Sequence, residues 1–186
     1  MKGIIFNLLE EVVRRRHGEA TWDRLLVETG LDGADTTLGS YPDSQLETLV
    51  AAVSGVLGWS RNECLRWFGR AAMPLIAERY PAFFTPYSAT LPFLISVNTI
   101  IHPEVRKVHP GALCPLFRFA HAPDGVLHLS YESSRQLCAL AEGFVEGAAD
   151  YFGETVTVEH LLCTARGARE CCLAIRAHAA EAVDAA

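Results

Sequence analysis

The sequence predicts an α+β fold, in which a helical N-terminal lobe packs on a C-terminal four-stranded antiparallel sheet with helices. Apolar residues recur at helical spacing up to about Val108 and then alternate with a period of two. The motif Pro123-Asp124-Gly125 separates two alternating runs and is typical of a hairpin turn. A second pair of alternating runs flanks Arg166-Gly167-Ala168 and predicts a second hairpin, which brings the sheet to four strands.

Several amphipathic helices are expected in the N-terminal lobe. The first ends at Gly18, because glycine readily takes the left-handed conformation that closes a helix. Asp43 is a plausible N-cap for a later helix, and Ser60 with Glu63 forms a capping box for the next. Pro74 lies inside that last helix and is expected to kink or end it, because proline has no amide hydrogen to donate.

A further helix begins near Thr90 and carries a histidine beside its apolar stripe. The stripe recurs at three- and four-residue steps and consists of Leu94, Val97, Ile101, Val105 and Val108. His102 lies next to it, and a histidine in such a place is more often a core or surface residue than a ligand. Pro103 has no amide to bond back to Thr99, so we expect the helix to bend beside His102.

Three polar residues follow the first hairpin at alternating positions: Tyr131, Ser133 and Arg135. At the end of a strand, this spacing would point all three side chains to one face. Arginine binds both oxygens of a carboxylate, and the hydroxyl groups can donate to the remaining lone pairs. The triple therefore suits a carboxylate ligand, although a solvated strand end would show the same pattern.

Taken together, these motifs resemble the H-NOX family, the haem nitric oxide/oxygen-binding domains related to the sensor domain of soluble guanylate cyclase. The resemblance covers nearly the whole chain, from the N-terminal MKGIIFNLLEEVV through Phe68-Gly69 to about Ile175. It implies a haem b group buried between the lobe and the sheet. By resemblance, His102 matches the proximal haem ligand and Pro115 matches the proline that presses on the porphyrin. The residues that match the propionate clamp are Tyr131, Ser133 and Arg135.

The position that selects the gas in this family is a leucine here. Oxygen-binding members place a tyrosine five residues beyond the clamp arginine, where this chain has Leu140. Bound dioxygen is held by a distal hydrogen-bond donor, whereas nitric oxide binds ferrous iron strongly without one. Leu140 can also be simply a core leucine. Ile5 matches a family distal position, and helix phase adds Leu9 and Phe144 as candidates for an apolar wall.

A second candidate site combines three cysteines and a histidine, namely Cys138, His160, Cys163 and Cys171. Such a set can close a tetrahedral zinc site. From composition alone, zinc and ordinary buried thiols are equally good readings. A subset of the bacterial family carries a zinc site at matching positions, so the resemblance favours zinc. Cys172 is expected on the opposite face of its strand.

Composition excludes several other classes. The formal net charge of -6 argues against a nucleic-acid or anionic-membrane surface. No apolar run approaches the roughly 20 residues of a membrane span, and the N-terminus does not read as a signal peptide. Six cysteines without a secretory leader indicate thiols or metal ligands in the cytoplasm. We expect one domain over residues 1–176 and a frayed tail over residues 177–186.

The function expected from the resemblance is gas sensing and not enzymatic catalysis. Nitric oxide, or carbon monoxide, would bind ferrous haem on His102. Without a fused catalytic domain, the output would pass to a sensor histidine kinase or a cyclic-di-GMP enzyme in trans. The alternative is a thiol and zinc redox switch that regulates a partner through Cys138, Cys163 and Cys171. An enzyme built on a Cys–His pair has no motif such as a nucleophile elbow to support it.

Overall fold

The structure, a computed structural model, describes residues 1–179. The helices are α1 (Gly3–His17), α2 (Glu19–Thr29), α3 (Asp43–Leu57), α4 (Arg61–Arg79), α5 (Thr90–Ser96), α6 (His102–Val108) and α7 (Cys138–Phe152). A π turn over Val97–Ile101 joins α5 to α6, so the three segments form one continuous helical stretch. The strands are β1 (Leu116–His121), β2 (Leu127–Glu132), β3 (Glu154–Leu162) and β4 (Cys171–Ala179).

The four strands form one antiparallel sheet in the order β1-β2-β4-β3, which confirms the predicted α+β class. Each predicted hairpin pairs its own two strands, and β2 pairs with β4 in the middle of the sheet. The buried face carries alternate residues of the two central strands: Leu127, Leu129, Tyr131, Cys171, Leu173 and Ile175. These side chains share one hydrophobic core with the helical lobe. β1 and β3 are the two edges.

Helices α4 and α7 approach each other closely because glycines line their contact. A methyl group at Gly147 would lie 2.6 Å from the carbonyl oxygen of Arg70, and one at Gly143 would overlap the backbone of Arg66. Beside the glycines, Arg66 pairs with Glu146. Glycine is therefore required on α7, because a Cβ atom would push the two helices apart. This helix pair connects the N-terminal lobe to the sheet.

Two helix predictions differ in detail from the structure. The capping box of Ser60 and Glu63 is present. Asp43, however, is the first residue of α3 and not its cap; Pro42 occupies the N-cap, and the carboxylate of Asp43 binds elsewhere. Of the two outcomes predicted for Pro74, a kink or an end, the end is wrong, because α4 continues to Arg79. Packing of α4 against α7 accounts for this, because tertiary contacts can offset one missing backbone hydrogen bond.

The sequence predicts that the C-terminal tail begins at residue 177, which is too early. β4 continues to Ala179, and Ala177 and His178 pair with Val156 and Thr155 of β3. Backbone pairing with a neighbouring strand holds these positions although their side chains are small or polar. The rest of the expected tail, residues 180–186, lies outside the described residues. Among residues 1–179, no helix has the length and apolar content needed to cross a bilayer.

Candidate haem and metal sites

The helix that presents His102 is irregular just before that residue. The amide of His102 donates to the carbonyl oxygen of Val97, five residues back, which defines the π turn. Pro103 follows as the second residue of α6 and has no amide to offer Thr99. The bend expected beside Pro103 therefore takes the form of a π turn, a wider coil that is frequent at functional sites.

The imidazole of His102 is held in its neutral form. Burial and the nearby positive charge of Arg106 lower the pKa of His102 from 6.5 to about 4. Nδ1 is buried and has no hydrogen-bond partner within residues 1–179. The ring lies against Phe117, with 5.5 Å between ring centroids. Neutral imidazole is the form that ligates iron, so this residue fits the role of haem ligand. Pro115 is half-buried and directly precedes β1.

The sequence predicted that alternation along a strand would arrange the clamp residues, but the structure arranges them differently. β2 ends at Glu132, and Ser133 to Arg135 form a turn that closes with Gln136 at a positive φ of 49°. The hydroxyl of Ser133 accepts the amide of Arg135 at 3.2 Å. Tyr131 is buried, and this burial raises the pKa of its phenol despite hydrogen bonds with Ser133 and the backbone of Leu137. Local hydrogen bonds of the turn thus connect the three residues.

Among residues 1–179, the guanidinium of Arg135 has two hydrogen-bond partners. Nε donates to Oδ2 of Asp43 and Nη1 donates to the carbonyl oxygen of Leu113, both at 2.7 Å. The side chain is only 15% exposed. A cavity of about 200 Å³ adjoins it and is lined also by Asp43 and Ser134. The guanidinium has five N–H groups, so donors remain for a carboxylate ligand.

The candidate distal residues all contact one hydrophobic core. Leu9 on α1 and Leu140 on α7 are buried within it. Ile5 and Phe144 are half-buried and pack against it. The carbonyl of Leu140 faces Gly69 of α4, so the close approach of the two helices fixes this part of α7. These four side chains offer only hydrocarbon to a ligand.

Three of the four predicted zinc ligands lie together. The Sγ atoms of Cys138, Cys163 and Cys171 are all within 4.8 Å of one another, and Cys138 and Cys163 are 3.8 Å apart. They come from the start of α7, the residue after β3 and the first residue of β4. Cys172 pairs across the sheet with Ser130 and is only half-buried, on the other face, as predicted.

The thiols of this cluster differ in acidity. Burial raises the pKa of Cys138 to about 12, and the neighbouring thiols reinforce that shift. Burial acts in the same direction on Cys163, but hydrogen bonds from the backbone of Ala165 and Arg166 and from the other two cysteines hold its pKa below the ordinary value. Cys163 therefore supplies a thiolate more readily than Cys138, and the thiolate is the form that binds metal and reacts with oxidants.

His160 does not join the three cysteines. Its Nε2 lies 2.7 Å from Oε2 of Glu142, a buried carboxylate on α7. β3 is irregular between His160 and Leu162, where its register with β4 shifts. In metal sites a carboxylate often holds the second nitrogen of a ligating histidine, so Glu142 would leave Nδ1 as the nitrogen that faces a metal.

Sequence reasoning missed the contacts of three residues with predicted site residues or their neighbours: Asp43, Asn98 and Glu142. Their partners are Arg135, Phe117 and His160, at sequence separations of 92, 19 and 18 residues. From the sequence alone, each of these residues can equally be an ordinary polar residue of its own helical segment. Single-sequence patterns carry no signal for such distant pairs, because only the tertiary fold brings them into contact.

Comparisons with known proteins agree with this architecture. A family model described as Haem-NO-binding matches residues 2–160. A crystal structure of an H-NOX protein from S. oneidensis in the Fe(II)NO ligation state is 30% identical, with a TM-score of 0.89 over 96% of this chain and 99% of that chain. The SO2144 H-NOX domain from Shewanella oneidensis in the Fe(II)CO state is also 30% identical, with a TM-score of 0.86 over 96% and 99%.

A third similar structure is the Fe(II) unliganded H-NOX protein from K. algicida, which is 25% identical and has a TM-score of 0.81 over 96% of this chain and 97% of that chain. The family model spans far more than half of the chain, and both lobes of the fold align. The chain therefore belongs to the Haem-NO-binding family, the H-NOX domains.

Proposed function

We propose that this chain is a haem-based gas sensor that binds nitric oxide at ferrous haem b ligated by His102 and signals to a separate protein. The observation that supports this most directly is the imidazole of His102, which packs against Phe117 and whose buried Nδ1 has no hydrogen-bond partner among residues 1–179, at the position that matches the family's ligand. The S. oneidensis relatives, described in their Fe(II)NO and Fe(II)CO states, support nitric oxide and carbon monoxide as ligands.

When bound, the haem would supply the ferrous iron that binds the gas. The protein supplies the imidazole of His102 on one side and the clamp on the propionates. Tyr131 and Ser133 offer hydroxyl groups, and Arg135 offers charge-assisted donors beyond those that Asp43 and Leu113 occupy. By the family resemblance, Pro115, just before β1, would be the residue that presses on the porphyrin.

Selection among gases rests on the apolar wall. Leu140, Ile5, Leu9 and Phe144 provide no hydrogen-bond donor. Because dioxygen needs such a donor and nitric oxide does not, this wall disfavours a stable oxygen complex.

Output requires that the gas-bound and gas-free forms differ in affinity for a partner. We propose a cytoplasmic partner, either a sensor histidine kinase or a cyclic-di-GMP enzyme, and no catalytic role for this chain. The moving parts would be the α5–α6 stretch, which carries His102 and would be released if that residue no longer held the haem, and α1, which carries Ile5 and Leu9 of the apolar wall. Pro115→Ala should then push the gas-free protein towards the nitric oxide-bound behaviour in a kinase autophosphorylation assay.

The visible spectrum of freshly purified, reduced protein tests the sensor function. A Soret band that moves when nitric oxide is added supports gas sensing on haem. A colourless protein, or one whose band does not respond to nitric oxide or carbon monoxide, would refute it.

For the cysteine cluster we propose zinc, held by Cys138, Cys163 and Cys171 with His160 as the fourth ligand. Three buried thiols within 4.8 Å support the proposal, since Cys₃His is a common closed set for structural zinc. His160 must approach the thiols to complete it, and its contact with Glu142 would orient the ring.

The second candidate function is a thiol redox switch at the same cluster. It is favoured by the short separation of Cys138 and Cys163 and by the lowered pKa of Cys163. Hydrogen peroxide would oxidise the two thiols to a disulfide and be reduced to two waters, and any bound zinc would be released. If the partner responds to peroxide and not to nitric oxide, and Cys163→Ala abolishes that response, the switch would replace gas sensing.

A further inference from the structure

Asn98 makes an unusual contact with the edge of the sheet. In the described part of the chain, residues 1–179, β1 is an edge strand, so the outward N–H and C=O groups of its backbone have no strand partner there. The side-chain amide of Asn98 forms hydrogen bonds with both of these backbone groups of Phe117. Its Nδ2 donates to the carbonyl oxygen of Phe117, and its Oδ1 accepts the amide of Phe117 at 3.3 Å. One asparagine side chain thereby substitutes for a neighbouring strand at a single position.

This contact fixes the segment that presents the haem ligand. Asn98 lies inside the π turn, four residues before His102. The residue that it holds, Phe117, packs its ring on the imidazole of His102 at 5.5 Å and on the ring of Tyr131 at 5.9 Å. The backbone of Phe117 is thus bound by the helix, while its ring borders both the predicted iron ligand and the predicted clamp.

The two ends of the same helical stretch are held very differently. At its start, the amide of Thr90 donates to the carboxylate of Glu154 at 2.7 Å, and Phe93 stacks on Phe84 with centroids 4.6 Å apart. At its other end, Arg106, Lys107 and Val108 are exposed. Asn98 lies between the anchored part and the exposed part, where a displacement of His102 has to begin.

From this placement we propose that Asn98 is a positioning residue for His102. Its amide pins the π turn to β1, sets the orientation of the imidazole through Phe117, and restrains the α5–α6 stretch from moving while the iron–histidine bond is intact. The inference rests on the proposed function, because it assumes that His102 ligates haem iron.

The first arm of the test uses the protein without haem. Asn98→Leu removes both polar groups at nearly constant size, and Asn98→Asp keeps an acceptor for the amide of Phe117 but loses the donor. Asn62→Leu, at an exposed position on α4, is the matched control. We expect the amide of Phe117 to exchange with solvent about 5- to 30-fold faster in Asn98→Leu than in the control, which corresponds to a loss of one or two hydrogen bonds. Unchanged exchange would overturn the inference.

The second arm measures the iron–histidine stretching band in the resonance Raman spectrum of the reduced, haem-loaded protein. We expect this band to shift and broaden in Asn98→Leu and to stay in place in Asn62→Leu, with Asn98→Asp between them. A purely structural role for Asn98 would lower stability without moving the band, and that result would refute the positioning role. Absence of the band from the wild-type protein would instead overturn the proposed function, and this role with it.

Discussion

Arg135 donates from Nε to Oδ2 of Asp43 at 2.7 Å and so joins the turn after β2 to the first residue of α3. Burial alone would raise the pKa of Asp43. Hydrogen bonds from the amino group of Met1 and from Arg135 outweigh that effect and hold the pKa below its ordinary value. A carboxyl group whose pKa is lower in the folded state stabilises that state above its unfolded pKa, and this contribution is lost as the pH falls through the folded value.

Asp43→Asn should therefore reduce the free energy of unfolding of the haem-free protein at pH 7. The loss should be at most about 1 kcal/mol, because Asp43 is half-exposed and solvent screens the pair. The difference from wild type should begin to shrink as the pH falls below the ordinary carboxyl pKa of about 4, and it should disappear only below the lowered pKa of the folded state. Urea denaturation at pH 7 and at a series of acidic pH values measures both effects. Asp23→Asn, an exposed carboxylate on α2, is the control, and a loss that is independent of pH would contradict the assignment.

His102→Gly should remove the protein's ligand to haem iron and leave a space that free imidazole can refill. The neutral ring of His102 and its place beside Phe117 are the reasons. Visible spectra of the reduced variant, with and without added imidazole, report the loss and the rescue. If the variant keeps the wild-type spectrum without imidazole, His102 is not the ligand. Circular dichroism of the haem-free variant checks that the fold survives.

Arg135→Ala should weaken haem retention more than Ser133→Ala. A charge-assisted pair with a propionate contributes roughly 1.5–3 kcal/mol, whereas a neutral hydroxyl contributes about 1 kcal/mol. Haem transfer to apomyoglobin gives the relative retention. Asp43→Asn removes the negative charge that pairs with Arg135 but leaves the guanidinium available to the propionate, so it separates the effect of the Asp43 pair from that of the propionate. Equal retention by wild type and Arg135→Ala would rule out the clamp.

The wild-type ferrous protein should bind nitric oxide and carbon monoxide and form no stable dioxygen complex in air. Leu140→Tyr should permit such a complex, because it places a hydroxyl donor where the wall is apolar. Leu140→Phe is the matched control, with the same ring and no hydroxyl. Absorption spectra in air-saturated buffer distinguish the cases. A stable oxygen complex in the wild type would show that another residue supplies the donor.

One zinc ion per chain should co-purify with protein prepared without chelators. Cys138→Ala, Cys163→Ala and Cys171→Ala should each lose it and unfold at lower temperature, because structural zinc contributes its binding energy to folding. Cys172→Ala should retain the metal, since this thiol lies on the other face of the sheet. His160→Ala tests the fourth ligand. Metal analysis measures the zinc content of each variant, and thermal unfolding measures its stability. Loss of zinc in Cys172→Ala alone would contradict the proposed site.

Much of the fold could be predicted because it depends on local patterns. Helical periodicity up to Val108, period-two alternation after it and the turn at Pro123-Asp124-Gly125 fix the element types, since each element must bury one face. The place of Cys172 opposite Cys171 follows from the same alternation. Pro103 predicted a bend beside His102, because a missing amide is a property of the residue itself, but the π turn over Val97–Ile101 was not predicted.

What only the tertiary structure decided are pairings between distant residues. The sequence could not show that the carboxylate of Asp43 binds Arg135 instead of capping a helix, or that the side chain of Asn98 forms hydrogen bonds with the backbone of Phe117. It could not show that His160 binds Glu142 while three cysteines meet beside it. The continuation of α4 through Pro74 and of β4 to Ala179 has the same cause. In each case the free energy that stabilises the observed arrangement comes from contact with a partner far along the chain. Local periodicity carries no information about that partner.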